Sequence, residues 1–132
     1  MPVEFTVLRN PPPVDSVAQK AITRIQLIFM ADAFGYEEYV TTVRYSGILR
    51  RVAILPSNVP PFIPTNLFDI EVFDWFGSDI LLGGGLNLSN VGLTQFCPFL
   101  STYAPIAINS ILEFSIENAG VSGAGALLLY IE

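Results

Sequence analysis

A chain of 132 residues is one domain's length; 52% of it is hydrophobic, only 14% is charged, and its net charge is −6. A small globule cannot bury that apolar share alone, so part of it is expected to face a neighbouring subunit or a partner. The chain has no histidine, which excludes Ser-His-Asp and Cys-His catalytic arrangements and removes the usual zinc ligand.

The first predicted element is "PVEFTVLR" (2–9), where Val3, Phe5 and Val7 alternate with Glu4, Thr6 and Leu8. It reads as a strand, with residues 1–10 serving as an extended arm or an edge. The prolines of "NPPPVDS" (10–16) stop it, because proline cannot donate a ladder hydrogen bond. "ITRIQLIFMAD" (22–32) is a long β-branched and aromatic strand, "AFG" (33–35) a turn, and "YEEYVTTVRY" (36–45) a third strand. "ILRRVAIL" (48–55) follows as a strand or a short helix, with the strand preferred, and four prolines make 56–66 an ordered, irregular loop. "LFDIEVFD" (67–74) sets Phe68, Ile70 and Val72 on one face, and "SDILL" (78–82) resumes as a strand until "GGG" (83–85). Residues 90–105 give mixed signals, with a short helical turn as one option. "SILEFSIEN" (110–118) alternates again, "AGVSGAG" (119–125) reads as a hairpin loop, and "ALLLYIE" (126–132) is the last strand. The expectation is one all-β domain over 1–132. It is an antiparallel, jelly-roll-like β-sandwich of about eight short strands, with loops 56–66 and 90–105 crossing between sheets.

Charge and motif content narrow the chemistry. All six cations lie in residues 1–51, whereas residues 52–132 hold seven acids and no cation, which argues against direct nucleic-acid binding through phosphates. Arg50-Arg51 is the one dense basic spot: a local ion pair at a strand end, or a docking contact to an acidic surface. The start "MPVEFTVL" lacks the basic and apolar regions of a signal peptide, which predicts cytoplasmic synthesis. No apolar run approaches the roughly 20 residues of a membrane span. Cys97 in "QFCPF" has no cysteine to pair with and reads as a small buried hydrophobe.

The densest stretch is "DIEVFDWFGSDILLGGGLN" (69–87), with four acids, four glycines and Trp75. Asp74 and Asp79 flank Gly77 and allow two chemical readings: a glycosidase-like carboxylate pair, or a weak Ca²⁺ site with Ser78 and backbone carbonyls. The plainer reading is a tight corner whose aspartates cap backbone N–H groups. Trp75 and Phe76 at its tip are then folded onto the sandwich or serve as interface anchors. No phosphate-cradling glycine motif occurs, and no cofactor or metal is expected.

Two motifs together, "FDIEVFDWFGSDILLGGGLNLS" (68–89) and "ILEFSIENAGVSGAGALLLYIE" (111–132), resemble small virion structural proteins of tailed phages, of the capsid decoration or cement type. The likeness covers mainly residues 65–132; "ADAFGYE" (31–37) extends it in style. It implies β-sandwich subunits that assemble as homo-oligomers, commonly trimers, on the capsid exterior, where they bridge copies of the major capsid protein without catalysis. On that basis Trp75, Phe76, Phe62, Arg50, Arg51, Val3 and Phe5 are candidate interface residues. Three rivals remain: a neck, tail or vertex protein; a carbohydrate-binding sandwich using Trp75, Tyr36, Tyr39 and Tyr45; and an enzyme using Asp74 and Asp79.

Overall fold

The computed structural model describes residues 4–10, 22–101 and 104–132. The described residues form eleven strands in order: β1 (Glu4–Asn10), β2 (Ile22–Met30), β3 (Glu37–Val40), β4 (Tyr45–Pro56), β5 (Asp69–Phe73), β6 (Thr94–Phe96), β7 (Phe99–Ser101), β8 (Ala104–Pro105), β9 (Ala107–Ser110), β10 (Glu113–Glu117) and β11 (Ala124–Ile131). Among the described residues there is no helix. A six-stranded sheet runs β1-β2-β11-β4-β6, with β9 also paired to β4; a three-stranded sheet runs β3-β10-β5; β7 and β8 form a short pair. The pairings within these sheets are antiparallel.

The sandwich follows from alternation. On the large sheet, Ile25, Leu27 and Phe29 of β2 align with Leu127 and Leu129 of β11, and with Val52 and Ile54 of β4. On the small sheet, Ile70 and Val72 of β5 pair with Ile116 and Phe114 of β10. The two inner faces meet in one buried cluster, completed by Phe68, Leu81 and Leu112 from the connections. Phe29 and Phe68 join the sheets with ring centroids 6.4 Å apart. Truncating a ring such as Phe114, which is fully buried, removes about 3–5 kcal/mol.

The chain changes sheets repeatedly, and these changes correct four expectations. The strand expected over 36–45 ends at Val40 because Thr41 turns it. Its hydroxyl donates to the Val43 carbonyl at 2.9 Å and accepts the Leu112 N–H at 3.0 Å, which sends the chain to the large sheet. "SDILL" is not a strand. Asp79 accepts the N–H of Leu81 and of Gly83, and these bonds wind 79–86 into successive turns that plug Ile80 and Leu81 into the core. Segment 119–125 is not a hairpin loop, since β10 and β11 belong to different sheets and Ala124 and Gly125 are already part of β11. Finally, 90–105 makes no helical turn in its described residues and no crossover between sheets. It lays β6, β7 and β8 alongside the large sheet, and the crossing comes later, between β9 and β10. These short pieces raise the strand number above the expected eight.

One irregularity positions the basic pair. Between Tyr130 and Ile131 the β4–β11 register slips, so that Arg51 faces Tyr130 and Leu49 faces Ile131. Arg50 is the extra residue of this bulge and stays exposed while its neighbours keep their faces.

Candidate functional site

The register gives the sandwich two ends. At one end Met30, Pro56 and Ala124 finish or begin their strands, and segments 31–36, 57–67, 86–93 and 118–123 gather there. Backbone bonds tie them together: Ala31 N–H to the Gly123 carbonyl (2.8 Å), Ala119 N–H to Gly35 (3.1 Å), Thr65 N–H to Ala119 (3.0 Å) and Ala124 N–H to Phe62 (2.9 Å). Asn90 adds its side-chain amide to the Pro64 carbonyl at 2.9 Å. Asp32 accepts the N–H groups of Phe34 and Tyr36. With its polar backbone spent internally, this loop crown points apolar side chains at solvent. Phe34 is 92% exposed, Val91 81% and Val121 67%, with Val59, Ile63 and Leu67 also exposed.

Each of the three most exposed crown residues sits next to a glycine with positive φ: Phe34 before Gly35, Val91 before Gly92 and Val121 after Gly120. The glycine makes the turn, and the turn pushes its bulky neighbour outward. Phe62, expected as an interface residue, is half-buried at the crown's edge. It lines an apolar groove of ≈ 400 Å³ with Met30, Leu55 and Ala126 on the outer face of the large sheet.

The acidic corner lies at the opposite end. Asp74 Oδ1 accepts the N–H of Phe76 (2.9 Å) and of Ser78 (3.0 Å), and Gly77 takes a φ of 78°. Asp79 uses both oxygens on backbone: Oδ1 accepts from Val72 and Leu81, and Oδ2 from Gly83. Both aspartates therefore work as turn caps. Among the described residues no group of three or more Cys, Asp or Glu side chains is gathered closely enough to hold a metal ion. Trp75 and Phe76 at the tip are not folded onto the sandwich; they are 69% and 88% exposed.

The remaining sequence candidates separate. Arg50 reaches Glu132 at 3.6 Å. Arg51 donates to Gln95 and lies 5.1 Å over the Tyr130 ring on the large sheet's outer face. Phe5 sits in register opposite the buried Leu27, and Val3 lies outside the described residues. The tyrosines make no strip: Tyr45 is buried, Tyr39 packs against the core, and Tyr36 lies at the crown.

The outer face of the small sheet carries a feature that the alternation of β5 and β10 already encoded. Glu38, Glu71, Glu113, Glu117 and Asp69 share it without a cation among them. The hydrogen bond between Glu113 and Glu38 raises the Glu113 carboxyl, with burial and the Glu38 charge adding to it. The same bond, with a second from Tyr36, lowers Glu38. The Tyr36 hydroxyl donates to Glu38 at 2.5 Å, and its pKa is pushed up to about 12, chiefly by that bond. Burial raises Glu71, with repulsion from Asp79, Glu117 and Asp69 adding to it.

Among the described residues no helix is long and apolar enough to cross a membrane. Compared with known proteins, the chain matches no family model, no curated sequence and no solved structure, so its functional reading rests on its own residues.

Proposed function

We propose that this chain is a non-enzymatic virion structural protein of the capsid decoration type. In this reading it sits on the capsid exterior as a homo-oligomer, a trimer, and bridges copies of the major capsid protein. The observation that carries the reading is the crown, which presents Phe34, Val59, Ile63, Leu67, Val91 and Val121 to solvent on loops already bound to one another. Exposed apolar surface of this kind marks an interaction site. Loops ordered beforehand lose little entropy on docking. A clamp needs such a surface and no reacting group. The resemblance carried by residues 68–89 and 111–132 points to the same class of protein. In this reading the crown seats on the shell or on the neighbouring subunit, and Phe62 closes over the groove beside it.

The test is the copy number of the chain in purified particles, measured against the major shell protein. Near-stoichiometric amounts are expected. A small fraction of that would place the chain in a neck, tail or vertex, and absence from particles would overturn the reading. The double variant Phe34→Ser/Val121→Ser is expected to lose particle occupancy while its stability stays within about 0.5 kcal/mol of the parent, because both side chains are exposed. Full occupancy by that variant would move the contact away from the crown.

A further inference from the structure

At the end opposite the crown, Trp75 and Phe76 overhang a cleft of ≈ 410 Å³ lined also by Arg44, Asp74, Ala107, Asn109 and Ser110. That volume lies within the range of about 300–1,000 Å³ typical of small-molecule sites. Ala107 and Asn109 belong to the exposed row of β9, while Ser110, in its buried row, fixes the aromatic tip. The Ser110 hydroxyl donates to the Ile111 carbonyl at 2.7 Å and accepts the Trp75 N–H at 3.3 Å. Arg44 Nη1 donates to the Asn109 carbonyl at 3.3 Å, which holds the guanidinium at the cleft, and its other N–H groups make no bond to the described residues. Asp74 Oδ1 is committed to its turn, whereas Oδ2 accepts no bond from the described residues.

The two charges are the informative pair. Arg44 and Asp74 line one cleft, yet among the described residues the ion pair that forms is Arg50–Glu132, not one between these two. An anion would be repelled by Asp74 and a cation by Arg44. A hydroxyl group suits both, since it accepts from the guanidinium and donates to the carboxylate. Ligands that offer several hydroxyls beside an apolar ring face suit an exposed indole as well. An anchor in a protein interface, by contrast, belongs in a dry apolar setting, which this cleft does not provide. We propose that the Trp75 cleft binds a carbohydrate, with a pyranose ring stacked on Trp75 and its hydroxyls bridging Arg44, Asn109 and Asp74. A second cleft of ≈ 260 Å³ adjoins it across Arg44, lined by Thr23, Tyr45, Ser46 and Ile131, and gives room for a further sugar unit. This site is independent of the crown and of the virion reading.

Trp75 is the chain's single tryptophan, so its fluorescence reports this cleft alone. The full chain is screened on an array of immobilised glucans, xylans, chito-oligosaccharides, polyuronates and sialylated glycans. The corresponding soluble oligosaccharides are then titrated against tryptophan emission. At least one class is expected to bind and to shift the emission saturably. Arg44→Ala and Asn109→Ala should each weaken that binding about tenfold, the loss of one hydrogen bond to a charged or amide group. Trp75→Ala should abolish array binding, Trp75→Phe should retain part of it, and Phe34→Ser should leave it unchanged. An array without a hit overturns the proposal, as does a Trp75→Ala variant that binds normally. So does a Trp75→Ala variant with a smaller assembly mass in sedimentation, which would make the tip a protein interface.

Discussion

The two ends of the sandwich expose aromatic residues in opposite company. At the crown, Phe34 and Val121 stand on segments whose backbones bond to one another, and large apolar side chains are left at the surface. At the far end, Trp75 and Phe76 stand beside Arg44, Asn109 and Asp74, whose bonding capacity the described residues only partly use. The same local device, a bulky residue next to a positive-φ glycine, makes both tips. What differs is the surroundings: four segments packed against one another at the crown, and an open cleft at the other end. Exposure of an aromatic side chain therefore does not by itself name a function; the hydrogen-bonding state of its neighbours is what distinguishes the docking surface proposed for the crown from the ligand platform proposed for the cleft.

The sharpest way to test that contrast is a matched pair of glycine substitutions. Gly35 and Gly77 have nearly the same φ, 76° and 78°, and each adjoins an exposed phenylalanine. A Cβ on Gly35 would meet the Gly120 backbone nitrogen at 2.7 Å, whereas a Cβ on Gly77 meets nothing within 4 Å. Gly77→Ala is expected to cost about 1 kcal/mol, the left-handed penalty alone. Gly35→Ala is expected to cost about 3 kcal/mol, because the packed crown must also give way. Denaturant midpoints of the two variants check this; equal losses would mean that the crown segments are not packed as one body.

Thr41→Val gives the next largest effect, at the cleft end. Thr41 is buried, and its hydroxyl satisfies both the Leu112 N–H and the Val43 carbonyl. Valine keeps the shape and strands the Leu112 donor, which should cost about 1–3 kcal/mol. Chemical unfolding measures the loss. Amide exchange at Leu112 should rise with it while the crown amides of Ala119 and Ala124 stay protected, which would separate the two ends dynamically as well.

Much of this architecture is legible in the sequence wherever a strand is half-buried. Phe68, Ile70 and Val72 fall on the core face as their spacing requires, and so do Leu112, Phe114 and Ile116. Legibility fails where side-chain hydrogen bonds outvote propensity. Asp79 captures the backbone of 79–83 and turns an apolar run into a plug, and Thr41 ends a strand rich in β-formers. It fails again for β6 to β8, because strands of two or three residues are too short to show a period. The acidic corner was readable as a pair of caps, whereas the sequence left Trp75 open between a ring folded onto the sandwich and an exposed anchor. The crown was not readable, because the loops that carry Phe34, Val91 and Val121 gather at one end only after the chain has folded. A signal for it was nonetheless present: a large apolar residue beside a turn glycine, at Phe34-Gly35, Val91-Gly92 and Gly120-Val121.

The smallest expected effect concerns the carboxylate face that spans the distance between the two ends. The Glu113 and Glu71 carboxyls are raised in the folded chain, the first by its bond to Glu38 and the second by burial. Raised groups bind protons more tightly folded than unfolded, so their stabilising contribution is fully present below the unfolded value and is lost as pH rises through the folded value. Glu38 is lowered and works in the opposite sense: its contribution is lost as pH falls through its folded value. Stability should therefore climb as pH falls from neutral through the raised Glu113 and Glu71 values, and decline further into acid as Glu38 is protonated. Solvent screens this face, so Glu71→Gln should add less than about 1 kcal/mol at neutral pH and flatten the climb. Thermal unfolding of both proteins across that window, at low and high salt, measures it. Added salt should narrow the difference between them, since part of what raises Glu71 is repulsion from Asp79, Glu117 and Asp69. A parent protein no more stable at mildly acidic than at neutral pH would mean that the Glu113 and Glu71 carboxyls are not raised in the folded chain.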